Sequence, residues 1–155
     1  MAVISWGKPK IVAQKDGEST YLLLPDGVEN STTLATTKGD KKEAKVEGGE
    51  NEDVRYGKST YALSVEIRAA KGRQKPFEDK DGLVDGEYKV WLQPEDAATP
   101  GLHIARARVS AELKYDAENG ISWVYTFDAL KPTDDADQVQ VGIVTIGSDN
   151  KPTFA

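Results

Sequence analysis

The feature that most constrains this chain is a period of two. Tyr61, Leu63, Val65, Ile67 and Ala69 alternate with Thr60, Ala62, Ser64, Glu66 and Arg68. Successive side chains of an extended strand point to opposite faces, so this run sets one face in a core and the other in water or against a polar partner. The pattern returns at Tyr88, Val90 and Leu92, with Lys89, Trp91 and Gln93 opposite. From Ala105 to Tyr115 the odd positions are Ala, Ala, Val, Ala, Leu and Tyr, and the even ones Arg, Arg, Ser, Glu and Lys. Ile121, Trp123, Tyr125, Phe127 and Ala129 continue it, and Asn119-Gly120 between these two runs is a strong hairpin signal. Such patterning predicts an all-β chain: an antiparallel β-sandwich or barrel-like domain with a long polar hairpin arm and at most one short helix.

The rest of the chain is less regular. Val139, Val141 and Ile143 alternate before Val144 and Ile146 move the apolar set to the other face, which predicts a bulge or a strand buried on both sides. Lys10 to Ala13 and Tyr21 to Leu24 read as short strands joined through Asp16-Gly17, with Pro25 closing the second. Pro76, Gly82 and Gly86 break the stretch 72–86, leaving room for at most a short helical turn. No solenoid-length repeat and no linker divides the chain, so residues 1–155 read as a single domain. A domain of this length buries roughly 70% of the surface its unfolded chain exposes, enough for a core without staples.

One segment stands apart from that core. Lys42, Ala44 and Val46 alternate with Glu43, Lys45 and Glu47, turn through Gly48-Gly49-Glu50-Asn51 and return through Val54 and Tyr56. Residues 38–58 carry six basic and six acidic side chains, and so polar an arm cannot drive its own burial. It is either a mobile surface excursion or an arm held by a neighbouring subunit, where charges of both signs set the register. On the second reading the interface candidates are Lys42, Lys45, Glu47, Glu50, Asp53 and Arg55, joined by Glu66 and Arg68 on the polar face of the following strand.

Composition narrows the functions open to the chain. With no cysteine there is no disulfide, thiolate nucleophile or sulfur-ligated metal. A net charge of −6 argues against collecting polyphosphate, so no specific nucleic-acid binding is expected. No stretch approaches the ~20 apolar residues needed to cross a bilayer, and the chain is expected to be soluble and made in the cytosol.

Candidate chemistry is sparse. The single histidine, His103, follows Pro100-Gly101 on the parity of Ala105, Ala107 and Val109, which predicts a satisfied, half-buried ring rather than a catalytic base. Asp79, Asp81, Asp85 and Glu87 surround Gly82, and Asp134, Asp135 and Asp137 follow Pro132, but neither group has the ligand spacing of a calcium loop. Both read as turn residues. No glycine-rich phosphate loop is present. Trp123, Tyr125 and Phe127 share the expected core face, whereas Trp6 and Trp91 belong to no clear inward set. An exposed tryptophan stacks on a sugar or fills a partner's pocket; a covered one packs under a second layer. No metal, no cofactor and no catalysis are expected. A monomeric carbohydrate-binding module resting on Trp91 or Trp6 is the alternative to assembly.

The order of these elements resembles the tail tube proteins of long-tailed bacteriophages. In that family a threonine-rich strand runs into a charged, glycine-rich loop before a long strand, as TTLATTKGDKKEAKVEGGENEDVRYG precedes KSTYALSVEIRAA here. The resemblance implies a β-sandwich or barrel-like subunit forming a homo-oligomeric ring of six, with rings stacking into a hollow tube alongside other tail or tube proteins. It equally covers the tube of a contractile injection system. Lumens in the family are acidic and polar, which suits the charge here. The place implied is a virion tail, or the bacterial cytoplasm before assembly. Many members also pack a helix, for which the broken stretch 72–86 offers little room.

Overall fold

The computed structural model describes residues 7–28, 31–134 and 136–155. Its strands are β1 (Lys10–Lys15), β2 (Leu22–Leu23), β3 (Thr33–Thr37), β4 (Lys41–Lys45), β5 (Asn51–Tyr56), β6 (Thr60–Arg68), β7 (Asp79–Lys80), β8 (Leu83–Gln93), β9 (Gly101–Asp116), β10 (Gly120–Ala129), β11 (Val139–Gly142), β12 (Val144–Ile146) and β13 (Pro152–Phe154). The protein is all-β. Among the described residues the only helical element is a single 3-10 turn at Ser148–Asn150. The stretch 72–86 holds none; β7, a turn and the start of β8 take its place.

Nine strands form one antiparallel sheet in the order β2-β1-β8-β9-β10-β6-β3, with β11 on β9 and β7 on β8. The β9–β10 hairpin turns where Asn119-Gly120 signals it, with Asp116 opposite Gly120 and Gly120 at φ +77°. Along β6 the alternation holds: Leu63, Val65 and Ile67 are buried, facing Phe127, Tyr125 and Trp123 of β10. Ile11, Ala13, Val90, Ile104, Ala107 and Val109 join the same core. Its centre is Phe77, which enters from the irregular segment after β6 and meets Tyr88, Tyr125 and Phe127 edge-on at ring-centroid distances of 5.2, 5.0 and 5.7 Å.

The parity expected for β9 fails near its start. Tyr88 pairs with Ala107 but Val90 pairs with Ile104, so β9 spends one residue more than β8 over the same length. Such a bulge reverses the faces beyond it. Ile104 therefore takes the core position expected of Ala105, and His103 turns to the opposite face. There Val12, Trp91 and His103 lie in one cross-strand row. The β12–β13 hairpin covers that row, with buried Val144 and with Phe154 5.3 Å from His103. The strand expected over 139–146 thus divides: β11 pairs with β9 and β12 with β13, and the shift in its apolar parity marks a change of partner.

Candidate interaction surfaces

The arm has the form its sequence predicts. Strands β4 and β5 pair antiparallel in a two-stranded sheet of their own, Lys42 against Arg55 and Ala44 against Asp53, with a register shift between Ala44 and Lys45. They continue the β3–β6 pair, whose last rung joins Thr37 and Thr60. The base is closed by two glycines: the Gly57 N–H donates to the Asp40 carbonyl at 2.7 Å, and a Cβ on Gly39 would lie 2.1 Å from the Gly57 oxygen. At about 3.3 Å per residue the arm reaches roughly 20 Å from this base. Neither of its strands pairs with any other among the described residues.

Every arm residue singled out from the sequence is exposed: Lys42, Lys45, Glu47, Glu50, Asp53 and Arg55. Of this hairpin's strand residues only Val54 is half-buried. Glu43 sits between two cations, 2.7 Å from Lys41 and 3.5 Å from Lys45, and these ammonium groups, Lys41 first, hold its carboxyl below the usual range. The Lys38 ammonium stands 5.6 Å from the centre of the Tyr56 ring. Glu66 and Arg68 are not on the arm but along β6, Glu66 half-buried and 3.6 Å from Lys114 of β9. The structure brings the first six candidates together, while Glu66 pairs with β9 and Arg68 lies opposite Ser122 of β10.

A second exposed surface went unforeseen. Leu113, Tyr115 and Ile121 belong by parity to the inward set, yet they are 70%, 75% and 45% exposed. The β9–β10 hairpin outruns the core beneath it, which ends at half-buried Trp123 with the Lys75 ammonium 5.9 Å from its ring centre. The edge of β9 is uncovered here too. The Ala111 N–H donates to Gly82 at 3.0 Å, β8 begins only at Leu83 opposite Ser110, and among the described residues no strand flanks that side of residues 112–116. The signal in the sequence was length, since β9 runs well past its neighbour.

Most of the residues weighed for chemistry have partners within the fold. His103 is half-buried, donates from Nδ1–H to the Val90 carbonyl oxygen at 3.1 Å, and stacks on Trp91 at 4.8 Å and 17°. Burial, foremost, lowers its pKa. Trp91 has His103 stacked on it and Tyr21 edge-on at 6.0 Å, and with His103 it lines a surface cavity beside Glu87, Arg106 and Asp134. Asp79 pairs with Lys75 and accepts the Gly82 N–H at 3.0 Å, closing a turn in which Asp81 and Gly82 take φ of +52° and +88°. Glu87 receives two hydrogen bonds from Arg106 at 2.8 and 3.1 Å, and that guanidinium holds its carboxyl below the usual range. Among the described residues no three histidine or carboxylate groups converge as metal ligands. Trp6 and Asp135 lie outside the described residues. No helix among those residues is long and apolar enough to cross a membrane.

No protein-family model matches the chain, and no curated protein matches it at a significant level.

Proposed function

We propose that this chain is a structural protein that assembles with copies of itself into rings or a tube, in the manner of the phage tail tube proteins it resembles, and performs no catalysis. The observation that carries the reading is the arm: a paired hairpin roughly 20 Å long that buries almost nothing against its own chain. Ordering a hairpin costs conformational entropy, and an isolated two-stranded pair is marginal in water. A neighbouring subunit supplies the contacts the arm's own chain does not. The uncovered β9 edge supports the same reading, because open edges left unprotected invite pairing with another chain. A heterologous contact that closes gives a ring, of six subunits by the resemblance, and the net charge of −6 suits a lumen that does not hold DNA. The assembled form belongs in a virion tail, with the subunit in the bacterial cytoplasm beforehand.

The test is mass by light scattering across a wide concentration range, with negative-stain microscopy of the most concentrated sample. Rings or tubes are expected. Lys45→Ser with Glu47→Ser should weaken them while leaving the far-ultraviolet spectrum unchanged. A strict monomer over the whole range overturns the reading, and unchanged assembly of the serine variant removes the arm from it.

A further inference from the structure

The two exposed surfaces carry matching charge. On β9 the residues flanking Leu113 and Tyr115 are Glu112, Lys114 and Asp116, a negative, positive, negative series on one face. On β4, Lys41, Glu43 and Lys45 share one face as positive, negative, positive. Each series lies on a strand with a free edge.

Backbone parity limits how those edges can meet. Asp40 turns its carbonyl to β5, so along β4 Lys42 also faces β5 while Lys41 and Glu43 present their N–H and C=O groups outward. Ala111 turns its N–H to Gly82, away from β10, so Leu113 and Tyr115 present theirs on that same side, where no strand lies among the described residues. In a parallel pair each outward residue bonds the two residues flanking the one opposite it. Leu113 then bonds Lys41 and Glu43, and Glu112, Lys114 and Asp116 fall opposite Lys41, Glu43 and Lys45. An antiparallel pair must align two outward residues: setting Leu113 against Glu43 puts Lys114 opposite Lys42, and setting it against Lys41 puts Glu112 opposite Lys42 but Lys114 and Asp116 opposite Asp40 and Lys38, before β4 begins. Only the parallel register keeps all three opposite-charge pairs within β4.

We infer that the free edge of β9 at residues 112–116 receives strand β4 of the arm from a second copy of this chain, paired parallel. The inference rests on the self-assembly reading and names its acceptor surface. Arm and acceptor sit at opposite ends of the sheet, since β6 leaves the arm base at Thr60 and reaches Arg68 beside Ser122 near the β9–β10 turn. The contact is therefore heterologous and propagates from copy to copy. The exposed Leu113 and Tyr115 side chains then meet Lys42 and Ala44 on the other face, where the aliphatic stem of Lys42 lies over Leu113 and Ala44 packs against the Tyr115 ring.

Two charge-inverted variants test this without changing net charge. The arm variant is Lys41→Glu with Glu43→Lys; the acceptor variant is Glu112→Lys with Lys114→Glu. Asp116 is left alone because its carboxylate accepts the Glu118 N–H and holds the turn. Each variant by itself sets like charges opposite at two positions, which should raise the concentration of half-assembly about ten- to thirty-fold. An equimolar mixture should restore assembly close to the wild type, because the altered arm fits the altered acceptor and the unaltered surfaces still fit each other. Thermal melting by circular dichroism shows that both variants are folded. Variants that assemble like the wild type overturn the contact while self-assembly stands, and loss in both without rescue shows that the two surfaces do not face each other. A wild type that stays monomeric sinks the self-assembly reading, and this contact with it.

Discussion

Replacing Phe77 by alanine asks whether the irregular segment after β6 is surface cover or part of the core. The ring is 2% exposed and the only buried side chain between residues 69 and 78. Truncating a core phenylalanine costs about 3–5 kcal/mol through lost transfer energy and the remaining cavity. Edge-to-face aromatic pairs add about 0.5–1.5 kcal/mol each, and Phe77 makes three, which favours the upper half of that range. Partial collapse of a segment free of regular structure works the other way, so the expected loss is about 4 kcal/mol. Against a typical domain stability of about 5–15 kcal/mol, that is a large fraction. Equilibrium urea unfolding followed by tryptophan fluorescence and circular dichroism measures it, and Phe77→Leu should cost roughly 1–2 kcal/mol as the volume-sparing control. A loss below about 1 kcal/mol for the alanine variant would refute the placement of Phe77 at the centre of the core.

Two further perturbations address the arm base and the buried tyrosine. Gly39→Ala brings a methyl group within 2.1 Å of the Gly57 oxygen and 2.7 Å of the Lys58 oxygen, both backbone. Amides of residues 41–56 should exchange faster, reporting roughly 1–3 kcal/mol of local loss, while the main unfolding transition stays in place; unchanged exchange would show that the base does not depend on that close approach. Burial pushes the Tyr125 phenol up to about 12 from its ordinary 10.0. The folded state then holds its proton where the unfolded chain releases it, so this contribution is complete below pH 10.0 and is lost as pH rises toward about 12. Tyr125→Phe should flatten the fall in urea midpoint between pH 10.0 and about 12, and an unaltered slope would count against the burial.

What could be read from the chain follows from how far each signal is local. Alternation at 60–69 and 121–129 and the turn at Asn119-Gly120 are local, and β6, β10 and their hairpin stand where those residues predict. The polar arm was legible for the same reason: charge pattern and turn glycines lie within one short segment. The bulge that moves Ile104 inward was not legible, because it is a mismatch between two strands and neither carries it alone. The chain between 72 and 86 concealed a core residue, since an aromatic anchored by partners from β8 and β10 has no periodicity of its own. Leu113, Tyr115 and Ile121 followed the inward parity and still ended outside, because parity fixes the face of a strand and not how far the core extends beneath it. The six arm candidates are gathered on one hairpin, whereas Glu66 and Arg68 stand in the body of the sheet on β6.

The glycine-closed base of the arm bears on how the protein can change over generations. Residues beyond Gly39 and Gly57 are exposed almost throughout, and the body of the sheet closes without them. Most substitutions are filtered by the stability they remove, and surface substitutions away from caps and turns move it by only about 0.5 kcal/mol either way. Variation in this hairpin therefore passes that filter nearly untouched. A lineage can alter the surface the arm presents, residue by residue, while the rest of the chain goes on folding as before.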